Sequence, residues 1–157
     1  ANCLVGKFHY FRAHDEFLIG RVNIQSGTVE YLQVPVQVIR RANADDEIRW
    51  NDPLKNDMKT ADDFLATQDK RNAGSGWGHV SAASPIVVGE NIYMPTMLGM
   101  VYVLKWNAET LDENALVSIS DLGAAGETWS LSSLSFSNGK LYARTLKELI
   151  CFGLAAK

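Results

Sequence analysis

Three short phrases in this 157-residue chain carry residue types suited to ligand recognition. They are Trp77-Gly-His79, Glu127-Thr-Trp129, and a pair of arginines, Arg12 and Arg144, each two residues after a tyrosine. Indole rings supply flat apolar walls for stacking, and a guanidinium orients a carboxylate, a phosphate or a sugar hydroxyl. His79, flanked by Gly78 and set just before an apolar run, adds a further group to orient such a ligand, as does His14. The candidate ligand-binding set is therefore Trp77, His79, Trp129, Glu127, Arg12, Arg144 and His14. The same residues suit a second role, with the tryptophans filling gaps between packed sheets and the arginines donating to loop carbonyls.

Other chemistry finds less support. The three histidines, His9, His14 and His79, lack zinc-ligand spacing. The acidic stretch Asp45-Asp-Glu47 with Asp52 does not alternate as a calcium loop does, and reads as a solvated face. No Gly-x-Ser-x-Gly, P-loop or Gly-x-Gly-x-x-Gly motif occurs, and no metal site is expected. Cys3 and Cys151 lie in apolar runs and read as buried free thiols, with a terminus-to-terminus disulfide as the alternative. A net charge of −3 argues against a nucleic-acid backbone or an anionic membrane as the main partner. Apolar runs of a few residues are far short of the ~20 that span a bilayer. The start Ala1-Asn2-Cys3 fits a mature N-terminus, a trimmed chain or an excerpt of a longer polypeptide equally.

The elements that must position these residues are written three times. Val88-Gly-Glu-Asn-Ile-Tyr93 returns 49 positions later as Ser137-Asn-Gly-Lys-Leu-Tyr142, and 83 positions earlier as Val5-Gly-Lys-Phe-His-Tyr10. Each copy reads as strand, Gly- or Asn-bearing turn, strand, turn, strand, in β-branched and aromatic residues. A fourth strand is predicted over 28–38 in the first copy and 115–120 in the second, whereas the third stops after three. The longer first interval holds a polar insertion with a short helix predicted over 60–68. Four antiparallel strands in ~50 residues is the measure of a propeller blade.

The phrases Ser84-Pro-Ile-Val-Val-Gly-Glu-Asn-Ile-Tyr, Gly99-Met-Val-Tyr-Val-Leu and Ser137-Asn-Gly-Lys-Leu-Tyr-Ala-Arg resemble the repeat of PQQ-like (quinoprotein-type) β-propellers. The resemblance covers 80–153 well and 1–38 loosely, and departs at Glu148-Leu-Ile-Cys, where the Gly-x-x-Tyr turn is lost. It implies an exported protein, periplasmic or extracellular. That family includes quinone- and Ca²⁺-dependent dehydrogenases as well as scaffold propellers without quinone. This chain has no adjacent Cys pair and no Asp in its first strands, so no cofactor is predicted; PQQ and Ca²⁺ enter only if further blades exist.

The expected fold is all-β: a β-propeller portion of about three four-stranded antiparallel blades, the last lacking its outer strand. The boundaries are a blade over 1–38, the insertion over 39–76, a blade over 77–121 and a partial blade over 126–153. Three blades leave edges open. The expectation is either the C-terminal part of a larger propeller or a ring completed by identical chains. The functional expectation is a non-catalytic binding or scaffold module, its partner or ligand on the face bearing 39–79. The alternatives are the C-terminal part of a quinoprotein oxidoreductase or other propeller enzyme, and a structural subunit assembling through open edges.

Overall fold

The computed structural model describes residues 2–13, 17–66 and 83–153. Its strands are β1 (Asn2–Val5), β2 (Phe8–Arg12), β3 (Leu18–Asn23), β4 (Val29–Gln33), β5 (Gln37–Ile39), β6 (Glu47–Arg49), β7 (Ile86–Val88), β8 (Asn91–Pro95), β9 (Met100–Lys105), β10 (Leu116–Asp121), β11 (Ser135–Ser137), β12 (Lys140–Arg144) and β13 (Leu149–Gly153). They build a four-stranded sheet β1-β2-β3-β4, a second β10-β9-β8-β7, and a three-stranded sheet β11-β12-β13. Every pairing is antiparallel between chain neighbours. The fold is an all-β propeller portion, and among the described residues its third sheet has three strands and no outer fourth.

Alternation along each strand decides which sheet it meets. Phe8, Tyr10 and Ile19 of the first sheet pack with Ile92, Met94, Met100, Tyr102 and Leu104 of the second. The second sheet's other side residues, Val101 and Val103, pack with Leu134 and Ala143 beside the third, joined by Ile86, Tyr93, Ile150 and Phe152. Two seams of interdigitated apolar side chains thus hold three sheets side by side. Equivalent positions also touch across a seam: the Ser84 amide donates to Ser133 Oγ at 2.9 Å, 49 residues on.

Three expectations are corrected. The strand predicted over 28–38 is broken: β4 ends at Gln33, and β5 pairs with β6 in a separate hairpin. Pro35 has no N–H for a ladder, and the chain turns there. Over 60–65 there is no helix. Instead Lys59 and Leu65 form an isolated bridge around a tight turn, with Asp63 at φ 61° and Phe64 exposed. Finally, Cys151 is exposed and Cys3 half-buried, and both are free thiols. Cys151 alternates onto the side of β13 that no other sheet covers among the described residues.

Among the described residues, no helix is long and apolar enough to cross a membrane.

Candidate functional site

The insertion gathers at one end of the sheets. Val36, Met58 and Ala66 pack there with Met97 and Leu98, from the β8–β9 turn, and with Trp129. Asn56 Nδ2 donates to Thr128 O at 2.8 Å, and Leu146 N donates to Trp129 O at 2.9 Å. Lys147 Nζ lies 4.0 Å from Glu127 Oε2 on the exposed rim. The predicted residues Glu127 and Trp129 are therefore neighbours, but they face different surroundings. Glu127 is exposed, whereas Trp129 is 2% exposed and fills the junction between the insertion and the second sheet. Trp77, His79 and His14 lie outside the described residues.

Arg12 and Arg144 stand at the same point of the repeat and are not brought together. Arg12 ends β2 inside the seam between the first two sheets, its guanidinium 5.0 Å above the Tyr102 ring. It is 5% exposed, and its Nε and Nη1 meet no hydrogen-bond acceptor among the described residues. Tyr102 donates its hydroxyl to Pro35 O at 2.6 Å. Burial raises its pKa above the ordinary tyrosine value, and the Arg12 charge opposes that rise. Arg144, by contrast, is exposed, its carbonyl accepting from Ser130 Oγ at 2.7 Å.

Among the described residues, a concave surface opens elsewhere on the insertion, and the candidate residues named from sequence do not include its lining. The β5–β6 hairpin leans against β10: Arg40 bonds to Asp46, donates to Ile119 O at 3.0 Å, and reaches Asp121 Oδ2 at 3.3 Å. Glu47 pairs with Arg41 and Arg49. Arginines thus occupy Asp46 and Glu47 of the acidic stretch, in keeping with a solvated face. Between this hairpin, β4 and the segment before β10 opens a groove of about 550 Å³. Tyr31, Pro35, Val38, Ile48, Trp50 and Leu111 supply most of its apolar wall. Asp112 and Glu113 stand on its lining, which includes no cationic side chain. Hydrogen bonds from the Thr110 hydroxyl and the Asn114 amide hold the Asp112 carboxyl below the ordinary aspartate pKa. The groove carries negative charge at neutral pH. One sequence signal could have pointed here: Ile48 and Trp50 are large apolar residues within the otherwise polar stretch 45–52.

Among the described residues, no group of three or more His, Cys, Asp or Glu could hold a metal ion.

The architecture defines a class, an all-β protein built of propeller-type sheets. No family model and no curated protein matches the chain. Solved structures similar to it include the following two. One is BamB from Moraxella catarrhalis, at 10% identity and a TM-score of 0.33, covering 96% of this chain and 41% of that one. The other is the computationally designed Ika8 protein, at 8% identity and a TM-score of 0.33, covering 98% of this chain and 45% of that one. The chain spans less than half the length of either. Likenesses this distant carry no weight for function, and the class rests on the sheets themselves.

Proposed function

We propose that the chain is a non-catalytic binding module made of PQQ-like propeller blades, which docks a protein partner in the groove beside its insertion. The observation that supports this is the groove's make-up. Tyr31, Ile48 and Trp50 are all large, apolar and exposed, and they converge on one concavity with two carboxylates at its edge. Aromatic side chains over a shaped pocket are the usual anchors of protein interfaces. The matching partner is an extended segment that presents apolar side chains and a lysine or arginine. β4 is an edge strand of its sheet, so the segment has a strand to lie beside. Export to a periplasmic or extracellular place belongs to the same proposal and rests on the family resemblance.

Two synthetic peptides test it: an extended one alternating leucine and valine with lysine, and the same peptide with glutamate for lysine. Calorimetric titration should show binding of the first and not the second. Trp50→Ala should weaken that binding at least tenfold, as expected for an anchor worth ~2 kcal/mol. Binding of neither peptide, or binding indifferent to Trp50→Ala, would sink the proposal.

A further inference from the structure

In each copy of the repeat, the tyrosine marks the side of its sheet that meets the next one. Tyr10 faces the second sheet, and its hydroxyl donates to Trp106 O at 2.9 Å. Tyr93 faces the third sheet, packed against the Val101, Val103, Leu134 and Ala143 cluster. Tyr142 holds the same position in the third sheet, opposite Cys151 on β13. Alternation places Lys140, Arg144 and Leu149 on that side too, and among the described residues no sheet covers it. Leu149 is 72% exposed.

Among the described residues no sheet covers the opposite side of the first sheet, where Leu4, Val29 and Tyr31 are exposed and Phe11 meets Tyr31 edge-on with ring centroids 6.0 Å apart. The second sheet shows what such a side presents when it is covered. There Met94 and Tyr102 are paired, and Arg12 of the preceding sheet sits over the Tyr102 ring. The equivalent pair in the first sheet is Phe11 and Gly20. The Phe11 ring lies across Gly20, filling the space that a Cβ there would need. An aromatic ring is therefore present where Arg12 finds one, supplied from the neighbouring strand.

We propose that the open side of the third sheet docks the open side of the first sheet of a second copy of this chain. Arg144 of one copy is seated over Phe11 of the other, as Arg12 is over Tyr102 within one chain. The match is both apolar and electrostatic. Leu149 and Tyr142 meet an apolar, aromatic surface, and Arg144 finds a π face. The contact is heterologous, so two copies joined twice close a ring, and otherwise copies extend head to tail. Tyr31 belongs to both this surface and the groove, whereas Phe11, Arg144 and Leu149, where the test substitutions fall, lie outside the groove's lining.

Sedimentation velocity across a concentration series tests it. The wild-type chain should associate reversibly. Arg144→Glu with Leu149→Glu, both at exposed positions, should weaken association at least tenfold with the circular dichroism spectrum unchanged. Phe11→Ala should also weaken it, from the other side. Mixing the two variants should restore association to a dimer, because each retains the surface the other has lost. A chain monomeric up to its solubility limit would overturn the proposal. So would association unchanged by the Arg144 and Leu149 substitutions, or a mixture that fails to recover.

Discussion

Arg21 and Glu30 form a two-pronged ion pair across β3 and β4, with Nε to Oε2 at 2.6 Å and Nη2 to Oε1 at 3.1 Å. Arg21 is fully buried, and its remaining N–H groups reach Ala108 O, Glu109 O and the Tyr10 hydroxyl. Its guanidinium also lies 4.2 Å from the Phe8 ring centroid. Glu30 in turn accepts from the Leu111 amide at 2.9 Å. The pair ties the first sheet to the loop between β9 and β10 and holds one wall of the groove. Glu30→Ala leaves a buried cation without its partner and should cost about 3–5 kcal/mol in urea unfolding. Arg21→Met with Glu30→Met, which removes both charges, should cost less than Glu30→Ala alone.

The pair also sets an acid limit. The hydrogen bond from Arg21 holds the Glu30 carboxyl below its ordinary pKa of 4.5. Because the folded value is the lower one, the unfolded chain takes up the proton first as pH falls. The stability supplied is full above about 4.5 and drains as the pH drops toward the folded value. Urea midpoints measured from neutrality downward should show wild type converging on Glu30→Gln at acid pH. Parallel curves would contradict this.

Arg12 should behave in the opposite way to Arg21. Both are buried arginines in one seam, yet Nε and Nη1 of Arg12 meet no acceptor among the described residues. Unpaired buried donors cost free energy that a methionine of similar length does not. Arg12→Met should be neutral or stabilising in urea unfolding, against a loss on replacing Arg21 alone. A loss above about 2 kcal/mol for Arg12→Met would show that its stacking on Tyr102 outweighs its desolvation.

Gly20 is required by its neighbour rather than by its backbone. A Cβ there would collide with the Phe11 ring. Gly20→Ala should destabilise by about 1–3 kcal/mol, the usual cost of overpacking. The same change in a Phe11→Ala background should cost clearly less, which a double-mutant cycle reads as coupling.

Trp129 fastens the insertion to the second sheet, in contact with Val36, Met58, Ala66, Met97 and Leu98. Trp129→Ala should cost about 3–5 kcal/mol. It should also expose the insertion to proteolysis before the sheets. Equal cleavage rates in wild type and variant would argue against the fastening role.

The sequence by itself determined the three copies, the antiparallel strands within each and the matching positions of their tyrosines. These follow from local rules: side chains alternate with period two along a strand, and Gly or Asn closes the turns. It also pointed to Trp129 and the two arginines as unusual residues. Only the tertiary structure decided their surroundings. Arg12 and Arg144 occupy matching places in nearly identical phrases, yet one is buried against Tyr102 and the other exposed. Nothing within a strand reports whether a further sheet covers it. The same holds for the break at Pro35, the lean of the β5–β6 hairpin on β10, and the groove they frame. Tyr31, Trp50 and Asp112 are far apart along the chain, and long-range packing alone brings them to one surface.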